Sequence, residues 1–155
     1  MKLFFLDCGT RDVTASIGLL FLRITIGLMM FFGHGLAKLQ NFHQTLEKGW
    51  PIPAIWPLSH MTMSLSLIST IVAEMGAAAL IILGLATRPA AFVLGFAMTV
   101  AAFQVQANAP FFGASPMAKE PAILYLIPCF VLIITGAGLF SFDNPLSRDK
   151  RRRRG

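Results

Sequence analysis

The chain has 155 residues, of which 55% are apolar and 13% charged, with a mean hydropathy of +0.69. A water-soluble domain carries about a quarter charged residues, so the composition excludes a soluble enzyme, a disordered chain and a secreted disulfide scaffold. The formal net charge of +6 invites a nucleic-acid reading, but six cations between Arg148 and Arg154, opposed by Asp149, account for five of those charges. Such a run behind an apolar segment marks the cytoplasmic side of a membrane and meets anionic headgroups. No interleaving of basic and aromatic residues supports nucleic acid as a partner.

In chain order, Met1-Lys2-Leu3-Phe4-Phe5-Leu6 is interrupted by Asp7 before a signal-peptide apolar region forms. The apolar run from Ile17 reads instead as an uncleaved signal anchor. Four segments are predicted as membrane helices, at about 16–39, 62–86, 89–108 and 121–140, each near the ~20 residues a crossing needs. Backbone polarity forces helices, and the period-2 alternation of a barrel is absent.

The first connection carries Gly49-Trp50-Pro51-Ile52-Pro53 and Trp56-Pro57, which predicts an ordered loop anchored at headgroup level. Leu85-Ala86-Thr87-Arg88-Pro89 makes a tight turn, with proline opening the next helix. Pro110, Gly113 and Pro116 make the third connection. Lys2, Arg11, Arg88 and the tail cations fall on one side, against Lys48 and Lys119 on the other, with Lys38 at a helix end. The expected fold is therefore all-α, an integral membrane four-helix bundle with both termini cytoplasmic. Residues 1–15 are an N-terminal segment, 16–143 the helical domain and 144–155 a basic tail. Cys8 and Cys129 should lie at different depths and cannot bridge.

Ionisable groups inside a span are costly and face the protein interior or a water-filled cavity. Arg23, Gly27, Met30, His34 and Lys38 are spaced four, three, four and four residues apart, which puts them on one stripe of the first helix. Counted from the cytoplasmic ends, Arg23 lies about 9 Å, Glu74 about 18 Å and His34 about 25 Å up, so depth alone does not choose the partner of Glu74. Gln104 and Asn108 share a face in the outer half of the third span, and Glu120 opens the fourth at the positive end of its dipole. His34, Lys38, Gln104, Asn108 and Glu120 are thus expected to line one outward-facing pocket. Gln106, opposite Gln104, is expected to meet the headgroups.

Arg23 and Arg88 read as structural, holding ion pairs or carbonyls near the cytoplasmic end. Pro128 should kink the fourth helix, and Gly136-Ala137-Gly138 should let it pack closely. No Walker loop, haem-attachment motif or cluster of metal ligands is evident. His43 and His60 fall in the loop, leaving no second intramembrane histidine for a haem.

The pattern Leu22-Arg23…Gly27…Phe32-Gly33-His34-Gly35-Leu36-Ala37-Lys38-Leu39 resembles the opening helix of DoxX family membrane proteins. Glu74-Met75-Gly76…Leu83-Gly84-Leu85-Ala86-Thr87-Arg88, then Glu120 and Gly136-Ala137-Gly138…Ser141-Phe142-Asp143, extend the resemblance over about residues 16–143. It implies a four-helix protein of a prokaryotic inner membrane, in a family often labelled as oxidoreductases. That family looks related to the DoxD subunit of thiosulfate:quinone oxidoreductase, and some members are linked to redox assemblies handling thiols and oxidative stress.

The leading expectation is a small subunit of a quinone-linked redox system. Quinone would be its redox partner, and its electrons would come from a soluble or membrane redox protein or directly from the substrate. His34 and Glu74 are the candidate catalytic pair, a proton-exchanging group and its charge partner. Lys38, Gln104, Asn108 and Glu120 are the candidate substrate-binding set. The alternatives are a non-enzymatic assembly or cargo-binding protein and, third, permeation of protons or a small solute, for which the chain would have to oligomerise.

Overall fold

The computed structural model describes residues 8–112 and 118–145. Asp7, the part of the third connection holding Gly113 and Pro116, and the basic tail lie outside the described residues. Helix α1 runs over Val13–Gln40. It starts where Asp12 accepts a hydrogen bond from the Ala15 amide at 2.7 Å, an N-cap three residues earlier than the apolar run alone suggests. A short helix, α2, covers Phe42–Glu47. Helix α3 spans Met63–Leu83, opened by Thr62, which accepts from the Leu65 amide at 3.3 Å. Helices α4 and α5 cover Thr87–Val105 and Glu120–Thr135. Among the described residues there is no strand.

Helices α1, α3 and α4 are each long and apolar enough to cross a membrane. Helix α5 has 16 residues, about 24 Å of rise, which falls short of a ~30 Å hydrocarbon core. It runs through Pro128 but does not continue to residue 140 as expected. Gly136, at φ 78° and ψ −167°, leaves helical space and ends it. Instead of drawing a helix close to its neighbours, Gly136-Ala137-Gly138 folds onto the start of the chain. The Thr10 amide donates to the Thr135 carbonyl at 3.2 Å, and the Gly138 amide donates to that of Cys8 at 2.7 Å. The Leu139 amide donates to Ser16 Oγ at 3.1 Å. A Cβ at position 136 would sit 2.7 Å from the Cys8 carbonyl oxygen, so glycine is required there.

The helices pack in sequence, α1 on α3, α3 on α4 and, most extensively, α4 on α5, while α1 and α5 touch less. Leu19, Met30, Ala78, Ile81, Leu94, Cys129 and Leu132 fill the shared core. Phe21, Phe32, Ile68, Phe92, Phe96, Phe130 and Ile134 point outward, while Arg23, Glu74 and Asp143 are buried. Apolar groups outside with ionisable groups inside is the distribution that hydrocarbon solvent demands.

The C-terminal segment completes one end of the bundle. Asp143 accepts from the amides of Ala86 and Thr87 through its two carboxylate oxygens, at 2.7 and 3.0 Å, and so caps α4. Its own amide donates to the Gly84 carbonyl at 2.9 Å. The described chain start, the turn between α3 and α4 and the stretch 139–143 therefore share one end. The loop between α1 and α3 lies at the other.

All three long helices widen into a single π turn, at Phe31–Gly35, Val72–Ala77 and Ala101–Val105. π turns are rare and recur at functional sites. Here they hold His34, Glu74 and Gln104.

Candidate functional site

The π turns of α1 and α3 bring Lys38, one turn beyond His34, against Glu74. Lys38 Nζ donates to both carboxylate oxygens at 2.5 Å, and the two side chains are 22% and 5% exposed. Depth had left Glu74 open to Arg23 or His34, and the structure gives it Lys38. His34 faces α5 instead, where its ring meets Tyr125 edge to face at a centroid separation of 5.3 Å. Lys38 Nζ also lies 5.8 Å from the centre of the Trp50 ring, within the ~6 Å reach of a cation–π contact.

These groups line a cavity of about 700 Å³, inside the ~300–1,000 Å³ range of small-molecule sites. Met30, Ala97, Met98, Val100, Ala101 and Ala122 form apolar walls, and Ser66, Thr70 and Gln106 add polar points. Gly49, Trp50, Pro51 and Pro53 also line it. Two side-chain bonds tie this strap to the helices. Ser66 Oγ of α3 donates to the Pro51 carbonyl at 3.1 Å, and the Ala54 amide donates to Gln104 Oε1 of α4 at 2.9 Å.

Of the residues expected in the pocket, His34 and Lys38 line it, and Glu74 joins them there. Gln104 holds the strap, Asn108 is exposed, and Glu120 sits half-buried beside the wall, with its amide donating to the Phe111 carbonyl at 3.2 Å. Gln106, expected among headgroups, is a wall residue whose Oε1 is buried without a hydrogen-bond partner. The reason is geometric. The helix ends in a π turn at Ala101–Val105, and Gln106 leaves helical space at φ −103° and ψ 26°, so the α-helical wheel does not apply from Ala101 onward.

Tyr125 and Trp50 were not singled out for the site from sequence. Tyr125 could have been, as the chain's one tyrosine inside an otherwise apolar span.

Arg23 and Arg88 lie toward the opposite end. Arg23 is fully buried, donates from Nη2 to the Phe140 carbonyl at 2.6 Å and is attracted by Asp143. Arg88 donates from Nη2 to the Ile134 carbonyl at 3.2 Å. Both close the bundle where α5 has ended.

Among the described residues no group of three or more His, Cys, Asp or Glu is placed to hold a metal. Cys8 and Cys129 are both buried. A second, smaller cavity of about 190 Å³ lies between α4 and α5, lined by Phe92, Phe96, Leu126, Phe130 and Ile133 with Gly95, Thr99 and Cys129.

A family model described as DoxX matches residues 18–107, more than half of the chain, covering most of α1 and all of α3 and α4. No curated protein and no solved structure matches the chain.

Proposed function

The chain belongs to the DoxX family of membrane proteins, and we propose that it is the small integral subunit of a quinone-linked oxidoreductase system in a prokaryotic inner membrane. One observation carries this reading. The Lys38–Glu74 pair, flanked by His34 and Tyr125, lies in a large cavity whose remaining walls are mostly apolar. A quinone head group asks for that combination, an apolar slot for its ring and hydrogen-bond donors for its two carbonyl oxygens. Lys38 has three N–H donors and commits two to Glu74, which leaves one to point at a ligand oxygen.

Two thiols that close to a disulfide release two electrons and two protons, and one quinone takes these up as a quinol. A redox protein partner, or the thiol compound itself, supplies the electrons. In this scheme His34 exchanges the proton, Glu74 holds Lys38 in place, and Lys38 binds the carbonyl. Helix α5, extended by residues 136–140, makes the fourth crossing. Arg11, Arg23 and Arg88 gather at the end where the chain's two described ends meet, with Lys48 and Lys119 at the other, which favours cytoplasmic termini. The basic tail would then lie on anionic headgroups.

The test is equilibrium binding of a ubiquinone analogue with a ten-carbon tail to purified protein, together with quinone reduction by membranes carrying it. Saturable binding, weakened about tenfold or more per folded molecule in Glu74→Gln and His34→Ala, is expected. Absence of binding, with quinone reduction indifferent to the protein, would contradict it.

A second reading draws on the same ion pair. Because Lys38 and Glu74 tie α1 to α3, the chain could serve assembly or cargo binding with the pair as a lock. Folded yield and function would then fall together in both variants. Permeation ranks third, since Arg23 fills the interior toward the other end with 0% exposure.

A further inference from the structure

The strap over the cavity does more than connect two helices. After α2, Gly49 takes φ 87°, and the chain turns back across the bundle so that Gly49, Trp50, Pro51 and Pro53 all contribute to the cavity wall. Two prolines within three residues stiffen this stretch. It is pinned at two points on two different helices, the Pro51 carbonyl to Ser66 of α3 and the Ala54 amide to Gln104 of α4. Trp50 is half-buried, whereas Trp56 on the same loop is 77% exposed. The Trp50 ring lies toward Lys38 Nζ, the donor that also holds Glu74. A ligand that reaches the free N–H of Lys38 therefore arrives beside the indole.

We propose that Trp50 is a ligand-contacting residue of this cavity, its indole stacking on a planar, electron-poor ring, and that Gln104 is a positioning residue which holds the strap carrying it. The inference rests on the quinone reading of the site and adds the residue that selects a flat ring over a linear amphiphile of equal polarity. An indole face is electron-rich, and stacking on an electron-poor ring in a desolvated slot adds to the area it buries. The roles separate cleanly. Lys38 recognises an oxygen, Trp50 recognises the ring, and Gln104 touches the strap and not the ligand.

The experiment uses the full chain in lipid nanodiscs and the ubiquinone analogue with a ten-carbon tail as probe. Trp56→Phe leaves Trp50 as the sole tryptophan of the two in the chain, so its emission reports the strap directly. The proposal expects saturable quenching of Trp50, with a midpoint equal to the dissociation constant measured separately by equilibrium dialysis. Trp50→Ala should weaken probe binding about tenfold, and Trp50→Phe, which keeps an aromatic face, should restore most of it. Gln104→Leu should shift Trp50 emission to the red without probe and weaken binding a few-fold. A fatty alcohol of matched length should bind equally to the Trp50→Ala and unaltered proteins.

Dialysis affinity unchanged in Trp50→Ala, or full binding with unquenched Trp50, would overturn this inference and leave the quinone reading intact. If the unaltered protein fails to bind the probe by dialysis, the quinone reading falls and this inference falls with it. Because Trp50→Phe and Gln104→Leu keep much of each side chain's bulk, their results stand even if Trp50→Ala does not fold.

Discussion

At the scale of single residues, Lys38 and Glu74 carry two roles that substitution can separate. Glu74→Gln leaves an ammonium facing a neutral amide inside the bundle. Breaking a buried pair typically costs ~3–5 kcal/mol. Lys38 keeps 22% exposure, so we expect a loss of about 2 kcal/mol in detergent unfolding. The double variant Lys38→Met with Glu74→Leu removes both charges at similar volume and should recover most of that stability. It should nevertheless fail to bind quinone, because the donor is gone. If the double variant binds as well as the unaltered protein, the pair is a lock and nothing more. Gly84 gives a second residue-scale prediction. It adopts φ 69°, and a Cβ there would overlap Arg23 Nη1. Gly84→Ala should therefore cost at least ~1 kcal/mol from backbone strain, with the displaced guanidinium adding to it, read as a lower unfolding temperature.

At the scale of elements, caps and irregular turns decide where the helices begin, end and rotate. Asp143 caps α4 with both carboxylate oxygens and opposes the charge of Arg23. Asp143→Asn keeps one acceptor and should cost about 1 kcal/mol. Both variants leave Arg23 without its opposing charge, but Asp143→Ala also loses the last cap acceptor, so its unfolding midpoint should fall further. Equal midpoints for the two variants would show that the remaining acceptor has no part in the effect. These devices also mark where the sequence was legible. The long apolar runs fixed three helices to within a few residues, and His34 and Lys38 of the first-helix stripe both line the cavity. Beyond Ala101 the wheel failed: Gln104 bonds the strap and Gln106 lines the cavity. A π turn and the end of the helix directly behind it leave no mark in composition. Gly136-Ala137-Gly138 was ambiguous in the same way, because small residues serve close helix packing and helix termination alike. The contact with Cys8 that decides between them comes from the far end of the chain.

At the scale of the whole molecule, a shell of exposed phenylalanine and aliphatic side chains encloses an apolar core with buried polar groups gathered toward its two ends. One end is closed by Arg23, Arg88 and Asp143 around the chain's returning segments, and the other holds the cavity under its strap. That asymmetry predicts sidedness. A cysteine placed at Lys48, which is exposed on the strap side, should react with a membrane-impermeant maleimide in intact cells. One placed at Arg11, exposed at the other end, should react only after permeabilisation. Cys8 and Cys129 are buried and should give little background. The reverse pattern would invert the protein in the membrane and place the cavity on the cytoplasmic side. The most direct test of the central claim, that the cavity around Lys38 and Glu74 receives a quinone, is cross-linking with a photoreactive quinone followed by peptide mapping. The account predicts label within 30–38, 97–106 and 121–125, competed away by excess unlabelled quinone. Label confined to the outward groove of Phe92, Phe96 and Phe130, or label that competitor does not displace, would contradict it.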